Sequence, residues 1–266
     1  MTTTLIRNIG DLVSGDVNAG LLDADSVLIR EGKIAAYGLE KDVTPEGVDH
    51  VVDVCGMALA PGLIDAHTHQ VIGDWHPRQS VIGWMEGVLH GGVTTILTMG
   101  ASMLQGLPRD AAGTKALAIL GAKTGQNFRP GGGLKVHGGA VILRPGLTQA
   151  DFEEMAREGV KVVAEIGGGG LHRYEDVKDY VNWAREAGMI IPMHFGGRSV
   201  PGSARLYADE IIALKPDVVV HINGGPTSAP QKEAERLIEG TSAYLEVIHT
   251  GNYRTMHDFV MLMKER

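Results

Sequence analysis

A single cysteine in 266 residues leaves Cys55 without a second thiol, so no internal disulfide can hold this chain together. Folding must rest on burial and hydrogen bonding, which fits a reducing compartment, and Cys55, set in an apolar stretch, reads as inert. Uninterrupted apolar runs are missing too. None reaches the roughly 18 residues of a membrane span, and the N-terminal MTTTLIRNIGDLVSGD has no apolar segment behind a basic start. The sequence therefore predicts a cytoplasmic protein with no membrane partner. Basic clusters are absent and the formal charge is -8, which argues against nucleic acid or anionic lipid and leaves a small molecule as the expected partner. There is no G-x-S-x-G elbow to supply a serine nucleophile. The glycine runs at 167–170 and before Leu134 lack phosphate-loop spacing, and close backbone approach explains them more simply.

With 44% hydrophobic and 21% charged residues, the chain can bury a large core. Residues 1–58 alternate short β-branched runs with turns (TLIRNI, SVLIREGKIAAYG, DHVVDV), the pattern of a small β-domain. From residue 59 the rhythm becomes strand then helix, which predicts βαβ units and a parallel sheet. Seven strands can be read: GLIDAHTH, VTTILTMG, LKVHGGAVIL, VKVVAEIG, MIIPMHFG, DVVVHING and AYLEVIHTG. The intervening helices carry their own signals. Thr148 and Asp151 make a capping box, Phe152, Met155 and Ala156 share a face, and Gly159 supplies the stop. Val177, Tyr180, Val181 and Ala184 follow helical spacing up to Gly188. Met85, Met155 and Met189 read as core filler. The expected fold is α/β, a (β/α)8 TIM-type barrel over 59–266 that stops after strand seven, so the chain is expected to be truncated or to have its open edge covered otherwise.

In such a barrel the side chains that do chemistry sit at the C-terminal ends of strands. His67 and His69 close the first strand as H-x-H, and the two-residue period of a strand points both imidazoles to one side. Glu165 ends the fourth strand, His194 the fifth and His221 the sixth, so five potential ligands gather on one rim. Imidazole and carboxylate suit zinc, iron, manganese or nickel. A lone H-x-H is more often structural than metal-binding, and it is the recurrence at equivalent strand ends that makes the set informative. His137 in the third strand and His249 at the end of the seventh are candidates for lining a substrate pocket. His50, His76, His90, His172 and His257 have no such placement and read as solvated or locally bonded.

The residues PGLIDAHTH, with the order H-x-H, a carboxylate on strand four and histidines on strands five and six, resemble the amidohydrolase superfamily across nearly the whole chain. More narrowly, HGG at His137, HFGGRSVPGS from His194 and KPDVVVHINGGPTS resemble its enamidase branch, whose members open a six-membered cyclic enamide in nicotinate fermentation. That resemblance implies two divalent metal ions, zinc, iron or a mixed pair. His67 and His69 would hold one and His194 and His221 the other, with Glu165 bridging where many relatives use a carboxylated lysine. Lys161 does not fit that role, because it opens strand four at the far end of the barrel. Glu165 and His221 are then the candidate catalytic residues, and the aspartate expected after strand eight has no counterpart. The implied substrate is a cyclic amide such as 6-oxo-1,4,5,6-tetrahydronicotinate, giving an aldehyde acid and ammonia, with Arg198 and Lys135 as candidate cations for its carboxylate. Assembly into a homo-oligomer, a tetramer among the options, is also implied. Hydantoinases, dihydroorotases, imidazolonepropionases and dipeptidase-like hydrolases share the ligand order, and a non-catalytic barrel or inactive fragment is a further alternative.

Overall fold

Short β-branched runs pair at once near the N-terminus of the computed structural model, which describes residues 2–16, 18–77, 83–128, 132–223, 229–248 and 253–264. The elements there are β1 (Thr3–Arg7), β2 (Leu12–Val13), β3 (Leu21–Leu22), β4 (Ser26–Arg30), β5 (Lys33–Gly38), α1 (Glu40–Val43) and β6 (His50–Asp53). Four of the strands form one sheet in the order β5-β4-β1-β6. β1 runs antiparallel to β4 and parallel to β6, with Leu5 opposite both Leu28 and Val51. Leu5 and Leu28 are buried, and Val27 joins a second small cluster with Ile9 and Leu12. Cys55 is exposed, on a turn after β6. The chain divides into two compact units, Met1–Leu63 and Ile64–Arg266, and the sheet just described belongs to the first.

The second unit alternates strand and helix. Its elements are β7 (Leu63–Thr68), α2 (Trp84–His90), β8 (Val93–Thr98), α3 (Ala111–Asn127), β9 (Lys135–His137), β10 (Ala140–Val141), α4 (Gln149–Arg157) and β11 (Val162–Val163). They continue with α5 (Tyr174–Glu186), β12 (Pro192–His194), α6 (Ala208–Leu214), β13 (Val218–Val220), α7 (Gln231–Gly240), β14 (Tyr244–Leu245) and α8 (Tyr253–Lys264). Ladders run β7-β8-β9, β10-β11 and β12-β13-β14, and the parallel bridges Val162–Ile190 and Ile166–Met193 join the last two. Helix formation follows local chemistry. The Asp151 carboxylate accepts from the Thr148 backbone N and Oγ1, both at 2.8 Å, closing the N-terminus of α4. The apolar stripe of α5, Val177, Val181 and Ala184, is fully buried. Burying a valine-sized side chain contributes roughly 1.5–3 kcal/mol, so this face docks the helix on the strands. Two layers of core result. Phe152, Met155, Val163, Ile191 and Val219 lie between helices and strands, and Met99, Val162, Ala164 and Val220 form a separate cluster. Among the described residues, no helix is long and apolar enough to cross a membrane.

One strand reading needs correction. LKVHGGAVIL is two short strands: β9 pairs with β8 and β10 with β11. The break falls at Gly138 and Gly139, where the chain presses against α3. A Cβ on Gly138 would lie 2.3 Å from the Gly121 carbonyl oxygen, and one on Gly139 would lie 2.1 Å from that of Ala118. Gly139 also has φ +82, a left-handed conformation that no ladder residue adopts. Beyond the break the segments that follow β8 and β11 meet, the Glu165 N–H donating to the Met99 carbonyl at 3.0 Å. This contact brings the end of β11, and Glu165 with it, beside the end of β8.

Candidate metal centre

Five side chains from four strand ends converge. His67, His69 and Glu165 form one group and Glu165, His194 and His221 a second, and within each group one donor atom per residue lies within 4.8 Å of the others. Glu165, common to both, is buried with His194 and His221. Its Oε1 is 2.9 Å from His194 Nδ1 and 2.8 Å from His221 Nε2, while Oε2 lies 3.9 Å from His67 Nε2. Strand alternation accounts for His194, whose neighbour Met193 packs in the outer core layer. It does not account for His221. Val219 and Val220 fall in the two different core clusters, so the next residue should turn back outward. His221 instead has φ +41, which breaks the alternation and turns its ring towards Glu165.

Outer partners fix which nitrogen each ring presents. His69 Nδ1 lies 2.8 Å from the Gly100 carbonyl and His194 Nε2 lies 2.6 Å from that of Gly197. His67 Nδ1 lies 2.7 Å from Glu246 Oε2. An N–H directed at each acceptor turns the second nitrogen of each ring towards the shared centre, where a bound metal would displace any proton it carries, the arrangement of metal-ligating histidines. His221 Nδ1 is buried with no hydrogen-bond partner.

Electrostatics follow from this packing. Burial works against ionisation of Glu165, yet hydrogen bonds from His194 and His221 hold its carboxyl well below the usual carboxylate range. Burial, reinforced by the neighbouring His67, lowers His69 to about 4, so it stays neutral and able to ligate. Burial also disfavours charge on His67, but the Glu246 carboxylate outweighs it and raises His67 above 6.5. Glu246 is lowered in turn: its burial is overcome by the hydrogen bond from His67. A group raised in the folded state contributes stability below its unfolded value and loses it as pH rises; a lowered one contributes above its unfolded value and loses it as pH falls. In metal-free protein the pair should therefore stabilise fully between pH 4.5 and 6.5. The melting-temperature gap between the natural protein and Glu246→Gln should be widest there and narrow in alkali. Metal uptake should release a proton, read as a dependence of binding heat on buffer ionisation enthalpy.

Glu246 was not among the residues expected here. It follows β14, accepts from the His221 backbone N at 3.0 Å as well as from His67, and so clamps members of both groups. The signal was present in AYLEVIHTG, where a glutamate ends strand seven as Glu165 ends strand four, but His249 drew the reading past it. Glu246→Gln should weaken metal affinity about 10–100-fold in competition with a chelator, and an unchanged affinity would remove it from the site.

Two of the other expected residues, Lys135 and His137, line a different cavity. Lys135 and His137 alternate with buried Val136, are exposed, and with Gly159 and Lys161 line a cavity of about 460 Å³ that none of the five ligand candidates lines. Arg198 is exposed on the loop after β12. His249 falls outside the described residues. Of the histidines set aside, His76 is buried, with its ring 5.3 Å from that of Trp84.

Imidazoles around a buried carboxylate, one with an orphaned buried nitrogen, form a donor set that suits a divalent metal. No family model matches the chain. It is 46% identical over 252 residues to an enamidase of Eubacterium barkeri, covering 95% of this chain and 65% of that protein. It is also 32% identical over 194 residues to an imidazolonepropionase of Arthrobacter sp. (strain FB24), covering 68% of this chain and 47% of that protein. Among solved structures, an enamidase described as a member of the amidohydrolase superfamily superposes with a TM-score of 0.86 at 46% identity, over 93% of this chain and 64% of that one. A dihydroorotase superposes with a TM-score of 0.60 at 16% identity, over 98% of this chain and 70% of that one, a likeness of fold alone. The chain thus spans slightly less than two thirds of the enamidase. The architecture is TIM-barrel-type, and over nearly its whole length the chain is similar to that enamidase, itself described as a member of the amidohydrolase superfamily.

Proposed function

We propose that the protein hydrolyses the C–N bond of a small cyclic amide, in the manner of an enamidase opening 6-oxo-1,4,5,6-tetrahydronicotinate to an aldehyde acid and ammonia. The observation that carries this reading is the single carboxylate shared by two groups of imidazoles, supported by 46% identity to an enamidase. His67 and His69 would hold one divalent ion and His194 and His221 a second, with Glu165 between them; zinc, iron or a mixed pair fits these donors. Bound there, such ions bring a water's pKa towards neutrality and polarise the amide carbonyl.

The chain's own residues do the rest. Gly100, Gly197 and Glu246 fix the imidazole tautomers. Glu165 Oε1 faces His194 and His221, whereas Oε2 faces Gly168, where a Cβ would lie only 3.1 Å away. The missing side chain leaves room for substrate beside Oε2, which also faces His67 and so serves the first group as its donor. The attacking water gives up one proton as the C–O bond forms and nitrogen takes one up as the C–N bond breaks, exchanged with solvent. Glu165, as the shared donor, is the first catalytic candidate. The released enamine then hydrolyses to aldehyde and ammonia. His221 is the second catalytic candidate, as the ring that holds Oε1 in place.

The finer architecture belongs to the same proposal: a small β-domain over 1–58 and a (β/α)8 barrel over 59–266 with seven strand positions present. A cytoplasmic homo-oligomer, a tetramer among the options, completes it. Incubation with a panel of cyclic amides, followed by ammonia release and ultraviolet absorbance, tests the function. Turnover confined to six-membered enamides is the expected result. Preference for a five-membered imidazolone would favour the second reading, which the imidazolonepropionase likeness supports, and no turnover by metal-loaded protein would end both.

A further inference from the structure

Beside the metal centre lies a second cavity of about 580 Å³, large enough for one small ring. Ser102, Arg109, Arg144, Gly168, Gly169 and Gly202 are among its lining residues, contributed by the loops after β8, β10, β11 and β12. Gly168 joins it to the centre, since the same residue lies against Glu165 Oε2. The charged residues in the lining are both arginines. Arg144 Nε is buried with no hydrogen-bond partner, and neither guanidinium belongs to an ion pair among the described residues. The buried Arg144 Nε is a cost unless an acceptor meets it, and the exposed Arg109 brings a second positive charge to the same lining.

Their backbones are held firmly. Arg144 follows Ile142 and Leu143, both buried, whose carbonyls accept from Thr114 Oγ1 at 2.8 Å and the Leu171 N–H at 3.0 Å. Arg109 precedes Asp110, whose carboxylate caps α3 by accepting from the Gly113 N–H at 2.7 Å.

We propose that this cavity holds the carboxylate of the proposed substrate, with Arg144 as the main anchor and Arg109 as the second. The proposal rests on the hydrolase reading and replaces Arg198 and Lys135 as the cations. A guanidinium offers a carboxylate two parallel N–H donors, which a neutral amide cannot match.

The test compares 6-oxopiperidine-3-carboxylate with its 3-carboxamide, measuring the dissociation constant of each for the full chain by ligand-observed NMR, with ring opening read on the 1,4,5,6-tetrahydro enamide form of each probe. The carboxylate should bind at least about tenfold more tightly. Arg144→Gln should bring the ratio to about one, Arg144→Lys should restore part of it, and Arg109→Gln should lower it partway. Equal binding of the two probes by the natural protein, which requires no variant to fold, would overturn the subsite, as would an unchanged ratio in folded Arg144→Gln. The two readings fail differently. A tenfold preference without ring opening supports the subsite and removes the hydrolase, whereas ring opening of both probes with equal affinity removes the subsite and keeps the hydrolase.

Discussion

Replacing Glu165 by alanine should lower bound metal from about two equivalents to one or fewer and slow ring opening at least about 10³-fold, or ~4 kcal/mol of barrier. The size of the effect follows from one carboxylate serving both groups. Loss of any one histidine leaves the other group whole. Loss of Glu165 takes a donor from each at once, and removes the anion that the surrounding imidazoles face in a buried site. Glu165→Gln separates shape from charge: it fills the same space but, being neutral, binds a divalent ion less well. Metal analysis by plasma emission, paired with turnover of a cyclic enamide, reads both variants. Full metal content with a natural rate in Glu165→Ala would remove the bridge.

What the sequence revealed of this site, and what it hid, divides along a physical line. His67, His69, Glu165 and His194 were legible because strand ends in a parallel array share one rim, so the order of residues along the chain suffices to place them. His221 came from the same rule, but its inward turn depends on φ +41, which nothing in DVVVHING announces. Glu246 stands at a strand end like Glu165 and was legible by the same rule, but its pairing with a histidine 179 residues away was not, since such pairings are set by closure of the array. Arg144 and Arg109 were hidden for a related reason: they precede helices on different loops, and only packing brings them into one cleft. Lys135 was chosen for its charge, yet it opens β9 and lines a cavity shared with Lys161 instead. In the helices, by contrast, caps and stripes act within a few residues, and α4 and α5 follow their sequence signals closely.

The glycines of the third strand position hold the largest expected effect on stability. Gly139→Ala places a methyl 2.1 Å from the Ala118 carbonyl oxygen and 2.6 Å from the Ala122 nitrogen, both backbone atoms of α3 that cannot rotate away. Left-handed backbone costs an alanine about 1–2 kcal/mol by itself, and displacing the helix adds to that, for a total of at least ~4 kcal/mol. Domains of this kind have about 5–15 kcal/mol in hand, so the variant should unfold at a much lower urea concentration or fail to accumulate. Gly188→Ala is the matched comparison. Its φ of +74 is similar, but nothing lies within 4 Å of the new methyl, so only the conformational cost of about 1 kcal/mol should appear. Equal losses in the two variants would show that the contact with α3 is not what breaks the strand. If the contact does break it, damage should reach the centre as well, because β10 pairs with β11 through Val141–Val163 and the Ala164 N–H donates to the Val141 carbonyl at 2.8 Å, one residue before Glu165. Whatever Gly139→Ala protein remains folded should therefore bind metal more weakly, while Gly188→Ala keeps the natural affinity.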